Sequence, residues 1–291
     1  MSQFKVVGIM ARVKNPGVIE TVETLIHYLQ TLNQPLIVEA ETAQALQRLN
    51  LPSAARDTLG EVSQLVIVVG GDGSLLQAAH AVVDYGTPVL GVNRGRLGFL
   101  TDIHPKKLEQ IKDILDGNFR LEKRFLLSAT VTHEGKTLGQ SAALNEVALI
   151  PDSVPHMNEF EIYIDDQFVC SQNSDGVIIA TPTGSTAYAL SGGGPILHPQ
   201  LDAIEIVPMF PHSLSIRPLV IAGNHVITIA ISPTNTAIPR LTCDGQAFIS
   251  TPPGTKIRIA KKEKCLNLIH PVGYDYYETL RSKLHWGHKL H

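Results

Sequence analysis

Leu65-Val66-Ile67-Val68-Val69-Gly70-Gly71-Asp72-Gly73-Ser74-Leu75-Leu76-Gln77-Ala78-Ala79 decides the fold. Its opening residues are an unbroken apolar run, and its last six resume an apolar pattern. Between them stand glycines and a single carboxylate. The order reads as a buried strand, a tight turn and the start of a helix. In an α/β sheet such a turn opens into the crevice at the carboxyl edge of the strands, where these folds bind ligands. Glycine lets the backbone approach an anion, and the N–H groups of the following helix face it. Asp72 is costly among anion-attracting donors unless it handles a proton, a hydroxyl or a metal ion. Gly, Asp and Ser are also ordinary turn and capping residues, so the tetrapeptide alone does not fix the chemistry.

Working outward, the same alternation repeats. Phe4–Met10 reads as a first strand, and Val18, Val22, Leu25, Ile26, Leu29 and Leu32 recur at helical spacing. Leu36-Ile37-Val38 reads as a strand, and Ala43, Leu46 and Leu49 mark a short helix. A helix is predicted over 75–83, a strand at Val89–Val92 and a helix over Lys106–Leu115. This is βαβ architecture. From about residue 120 the texture changes to β-branched runs broken by Gly, Pro, Asn and Asp. Strands are predicted at Phe125–Thr132, Glu146–Ile150, Phe160–Ile164, Gly176–Ala180, Val226–Ile231 and Lys256–Ile259, with a hairpin at Asp165-Asp166. Helical character returns over Tyr274–Leu284. The expectation is an α/β N-terminal domain over 1–118, a mostly β C-terminal domain over 119–272, and a tail over 273–291 that returns to the first domain.

The 291 residues suffice for two such cores. With 18% charged residues and a net charge of −3, the balance encodes no general attraction to nucleic acid or anionic lipid, so any phosphate site is local. Cys170, Cys243 and Cys265 lie far apart, outside zinc or disulfide-framework spacing, which fits a reducing cytosol. No leader pattern or membrane-length apolar run is found, so a soluble, cytoplasmic protein is expected.

Neither G-x-x-x-x-G-K-[ST] nor G-x-G-x-x-G after the first strand is present, which disfavours a Walker-type ATPase and a Rossmann dehydrogenase. A second dense segment, Asp175-Gly176-Val177-Ile178-Ile179-Ala180-Thr181-Pro182-Thr183-Gly184-Ser185-Thr186-Ala187-Tyr188, runs into Ala189-Leu190-Ser191-Gly192-Gly193-Gly194-Pro195. It gathers neutral donors, glycines and a ring able to stack on a base. Asn145-Glu146 pairs an amide with a carboxylate, suited to ribose hydroxyls or an adenine edge. Asp244-Gly245-Gln246 reads most simply as a hairpin turn. His212 and the terminal His285, His288 and His291 read as structural or surface residues.

Taken in order, these stretches resemble the NAD kinase family, of the bacterial, proteobacterial type. Gly70–Gly73 matches its Gly-Gly-Asp-Gly turn, Asn145-Glu146 its asparagine-acidic pair, and Thr181–Tyr188 with Ser191–Pro195 its hydroxyl-rich segment. Pro211–Pro218 and Asp244–Gln246 follow in family order. The resemblance implies an NAD kinase-like two-domain fold and transfer of the ATP γ-phosphoryl group to the 2′-hydroxyl of the adenosine ribose of NAD. It also implies a divalent metal, usually magnesium, and a cytoplasmic homodimer or homotetramer, with no nucleic-acid or membrane partner.

By position, the resemblance makes Asp72 the base. It places Asp72, Gly73, Asn145, Glu146, His156, Asn173, Asp175, Thr186, Ala187, Tyr188, Ala189, Leu190, Ser191 and Gln246 at the nucleotide site; it gives no metal ligands. Asn173 departs from the family, where a basic residue often precedes Ser-Asp-Gly, so a cationic contact to the dinucleotide phosphates is expected to be missing. Two other readings remain open: a lipid kinase related to diacylglycerol kinases, and a catalytically silent NAD(P)-binding sensor. No basic amphipathic helix marks a membrane surface for the first.

Overall fold

A computed structural model of the chain describes residues 2–13, 16–46, 50–94, 98–152, 157–236 and 238–286. Two compact units are present, one from 1–123 with 266–291 and the other from 124–265.

In the first unit a seven-stranded sheet runs in the order Ser53–Ala54, Leu36–Glu39, Val7–Ala11, Leu65–Val69, Val89–Val92, Leu266–Pro271, Phe119–Arg124. Val7–Ala11 is parallel to both Leu36–Glu39 and Leu65–Val69, and Val89–Val92 is parallel to Leu65–Val69 and Leu266–Pro271. The chain leaves Val7–Ala11 toward one edge and Leu65–Val69 toward the other. Their shared boundary is therefore the switch point, and a crevice opens outside its carboxyl ends.

All five residues of Leu65–Val69 are buried, which is why the strand reads as a continuous apolar run. One face packs under helix Pro16–Thr31, whose Val18, Val22, Leu25, Ile26 and Leu29 form a single stripe against Val7, Ile9, Ile67 and Val69. Helices Arg56–Val62 and Asp72–Val82 pack closely on each other, where Gly60 admits the backbone of Val82. The helix expected over 75–83 starts earlier, at Asp72. The region expected as one helix over Lys106–Leu115 is a 3-10 turn at Pro105–Lys107 followed by the helix Gln110–Leu115. Asp275 caps a last helix, Tyr276–Leu284, by accepting the N–H of Tyr277.

The second unit holds two six-stranded sheets. One runs Gln167–Ser174, Asn158–Ile164, Ile227–Ile231, Lys256–Lys261, Leu127–His133, Lys136–Ala143. The other runs Leu219–Ala222, Ala203–Met209, Gly176–Ala180, Glu146–Ile150, Arg240–Cys243, Ala247–Ser250. Every pairing described within them is antiparallel. Their inner faces share one core, with Leu127, Val131, Phe160, Ile229 and Ile257 from the first sheet against Val147, Leu149, Ile179, Ile206 and Leu241 from the second. Ala148, Ile178, Ala180, Val207 and Met209 turn to the outer face of the second sheet and pack with Ala189. Gly176–Ala180 is thus buried on both sides. The hairpins at Asp165-Asp166 (φ 47° and 65°) and Asp244-Gly245 (φ 52° and 65°) both use left-handed turn residues, matching the strand twist. Among the described residues, no helix is long and apolar enough to cross a membrane.

Candidate active site

The turn after Leu65–Val69 is built by glycine geometry. Gly70 has φ 156°, and a Cβ there would lie 2.3 Å from Ser74 Oγ. Gly71 is the extended N-cap and donates no side-chain cap, so the helix Asp72–Val82 begins at the switch point with its N-terminal N–H groups uncapped by a side chain. An added Cβ at Gly71 or Gly73 would meet nothing within 4 Å, so open space adjoins both.

Asp72 occupies the first helical position, where the helix dipole favours a carboxylate, so the cost expected from the sequence does not arise. Its Oδ2 accepts the N–H of Phe99 at 2.9 Å and its Oδ1 that of Leu100 at 3.0 Å, with the Thr101 hydroxyl at 3.4 Å from Oδ1. Gly98 permits this approach, since a Cβ there would sit 2.1 Å from Asp72 Oδ1. A carboxylate offers about four lone-pair positions. The loop therefore fixes the group's orientation and leaves capacity for a further partner.

In the second unit Asn145-Glu146 lies at the start of Glu146–Ile150 and is clamped from two directions. Asp244 accepts the N–H groups of Leu144 (2.8 Å), Asn145 (2.8 Å) and Glu146 (3.2 Å), and its own N–H returns to the Glu146 carbonyl at 3.0 Å. Thr181 donates its hydroxyl to the Leu144 carbonyl at 2.6 Å and its N–H to the Asn145 carbonyl at 2.9 Å. Gly184 fits because a Cβ would stand 2.1 Å from that Asn145 oxygen. Ser185 ties the segment down through the Pro182 carbonyl and the Leu197 N–H, at 2.7 and 2.9 Å.

Glu146 is buried, and its Oε2 has no hydrogen-bond partner. Burial first, and then the Asp244 charge, push its pKa up to about 7, against the opposing N–H of Tyr188. Such an acid can donate or accept a hydrogen bond at neutral pH. Tyr188 keeps 41% of its surface exposed, so a ring face is open for stacking. Its phenol pKa is raised by burial, then by Glu146 and Asp175, which places those charges in its surroundings.

Asp175 is half-buried, and its carbonyl accepts from Asn158 Nδ2 at 2.9 Å. Asn173 is exposed on Gln167–Ser174, with its carbonyl accepting the N–H of His212 at 3.0 Å. Thr186, Ala187 and Leu190 are half-buried, Ala189 is buried, and Ser191 ends the short helix Tyr188–Ser191 exposed to solvent. Gln246 closes the Asp244-Gly245 hairpin, its N–H 3.0 Å from the Cys243 carbonyl. Gly73 is exposed beside Asp72, and His156 lies outside the described residues. The sequence predicts a hairpin turn at Asp244 and carries no signal for the Phe99–Thr101 loop. The turn signal at Asp244 was correct, but its carboxylate also organises the Asn145-Glu146 pair.

The first unit thus carries a Gly-Asp turn at its switch point and the second a clamped Asn-Glu pair, a combination that fits a nucleotide-directed phosphotransferase. Residues 7–119 match the ATP-NAD kinase N-terminal domain and residues 144–271 the ATP-NAD kinase C-terminal domain. The chain belongs to the ATP-NAD kinase family, and it is an enzyme of that family. It is 52% identical over 291 residues to an NAD kinase of Chromohalobacter salexigens, covering 100% of this chain and 99% of that one. It is likewise 52% identical to an NAD kinase of Pseudomonas syringae pv. syringae, covering 100% and 98%. The fold resembles that of a yeast NADH kinase complexed with NADH, at a TM-score of 0.89 and 24% identity over 99% of this chain and 89% of that one. It also resembles an Archaeoglobus fulgidus NAD kinase in complex with ATP, at 0.73 and 23% over 95% and 99%.

Proposed function

We propose that this chain transfers the γ-phosphoryl group of ATP to the 2′-hydroxyl of the adenosine ribose of NAD, releasing ADP and NADP, with Asp72 as the base. The observation that carries this role is the fixed orientation of the Asp72 carboxylate at a helix N-terminus, held by the Phe99 and Leu100 N–H groups.

Phosphoryl transfer has a loose transition state, so the enzyme mainly positions groups and neutralises charge. Asp72 orients the hydroxyl and takes its proton late, once leaving-group cleavage is advanced and the new O–P bond has made the hydroxyl acidic. The N–H groups at the start of Asp72–Val82 attract donor phosphate oxygens. Asn145 and Glu146 hold ribose hydroxyls, Tyr188 stacks on a base, and Gly73, Asp175, Thr186, Ala187, Ala189, Leu190, Ser191 and Gln246 complete the contacts. His156 and Asn173 are further contacts carried by the family pattern.

Among the described residues, no group of three or more His, Cys, Asp or Glu could hold a metal ion. The Asp72 carboxylate at the helix start, with open space beside Gly71 and Gly73, fits magnesium, which binds through one or two carboxylates together with substrate phosphates and water. Asp72 would be its protein ligand, and the bound ion would neutralise charge on the transferring group. Unpaired Cys170, Cys243 and Cys265 fit a cytoplasmic setting. The same family pattern carries a homodimer or homotetramer.

Incubating purified protein with NAD, ATP and magnesium tests the activity. NADP should form, and parallel reactions with inorganic polyphosphate or with NADH define the donor and acceptor. Tight NAD binding without NADP would overturn the kinase reading.

A further inference from the structure

His270 is wholly buried on Leu266–Pro271, next to Ile269, which stands opposite Leu90 of the neighbouring strand. Its Nδ1 hydrogen-bonds Asp102 Oδ2, and its Nε2 lies 3.4 Å from Glu122 Oε2. Arg120 meets the second oxygen of Glu122 at 2.9 Å, and the Tyr274 ring stacks on the imidazole at 3.9 Å and 13°. A carboxylate thus faces each ring nitrogen, which favours positive charge on the ring. Burial opposes that charge, but Asp102 and Glu122 outweigh it and raise the pKa above the usual value. No step assigned above uses this cluster.

The cluster connects to Asp72 through a short piece of backbone. Leu100–Ile103 lies directly on Gly91, where a Cβ would stand 2.6 Å from the Leu100 carbonyl and 2.7 Å from Thr101 Cα. The N–H groups of Asp102 and Ile103 both reach the Gly91 carbonyl at 3.1 Å. One end of the segment is thus pinned by Gly91 and, through Asp102, by His270. At the other end the N–H groups of Phe99 and Leu100 hold the Asp72 carboxylate.

We propose that His270 is a positioning residue for the phosphoryl-transfer centre, fixing the 99–102 segment through Asp102 so that its amides hold Asp72 in one orientation. The catalytic consequence rests on Asp72 being the base.

The test uses the full chain. His270→Ala should speed hydrogen exchange at the Phe99 and Leu100 amides and lower kcat about tenfold or more, with KM for NAD within about twofold. His270→Asn keeps an N–H donor toward Asp102 and should recover part of both effects. Asp102→Asn, close in volume, supplies the same readouts if His270→Ala does not fold. Unchanged exchange at Phe99 and Leu100 in the folded variants would overturn the proposal, as would a recovery in His270→Asn no greater than in His270→Ala. Asp72→Asn is assayed alongside. If it keeps full activity the base assignment fails, whereas the exchange data still decide what His270 holds.

Discussion

Asp244 accepts the backbone N–H of Asn145 at 2.8 Å, and the same oxygen also takes the Glu146 N–H at 3.2 Å. A turn residue therefore sets the backbone of a pair some hundred positions earlier. Asp244→Asn replaces one of the accepting oxygens by a donor, leaving an N–H facing an NH2. Thermal or urea unfolding should show a loss of about 1–3 kcal/mol. KM for NAD should rise more than kcat falls; unchanged values of both would remove Asp244 from this supporting role.

Glu146 yields a prediction with a definite sign. Its carboxyl is raised from 4.5 to about 7 in the folded protein. Between those values the folded state keeps a proton that the unfolded state has released, so the group favours folding at low pH. That contribution falls as pH rises from about 4.5 to about 7. Glu146→Gln should remove this dependence and raise Tm most above about pH 7. KM for NAD should change with pH across neutrality in the wild type and stay flat in the variant.

Glu205 is fully buried, and neither carboxylate oxygen has a hydrogen-bond partner. Burial alone lifts its pKa to about 7. Its charged form therefore destabilises the fold at alkaline pH. Glu205→Leu, similar in size, should raise Tm at about pH 8 more than at about pH 5, with kcat unchanged. A lower Tm at the higher pH would show that the acid has a stabilising role.

Gly98 separates packing from chemistry. Its added Cβ would fall 2.1 Å from Asp72 Oδ1 and 2.3 Å from Thr101 Oγ1. Gly98→Ala should displace the carboxylate and cut kcat by about a hundredfold while KM for NAD stays close to wild type. Near-normal kcat would mean that the Asp72 orientation seen here does not matter for turnover.

Legibility in the sequence followed the physics of each segment. Leu65–Val69 is buried on both faces, so its apolar run and the glycines behind it signalled the strand and the turn that follows it. The stripe Val18, Val22, Leu25, Ile26, Leu29 announced its helix in the same way. Phe119–Arg124 was hidden because its polarity is inverted: Leu121 is exposed, while Glu122 and Arg124 are buried. The distant His270 and the neighbouring Arg120 both face the buried Glu122. Ala203–Met209 was missed for a related reason, since it carries a buried acid and a proline. The family motifs pointed to Asp72, Asn145, Glu146 and Tyr188. The groups that hold them, Phe99, Leu100 and Asp244, act through backbone amides or from a remote turn, and neither leaves a periodic trace.

Asp72→Asn tests the central claim most directly. The variant keeps the size of the side chain and one carbonyl acceptor for the loop, but it cannot accept a proton. With NAD, ATP and magnesium, NADP formation should fall by about 10³-fold or more, while NAD binding measured by calorimetry stays within a few-fold of wild type. NADP formation at a rate close to that of the wild type would contradict the account.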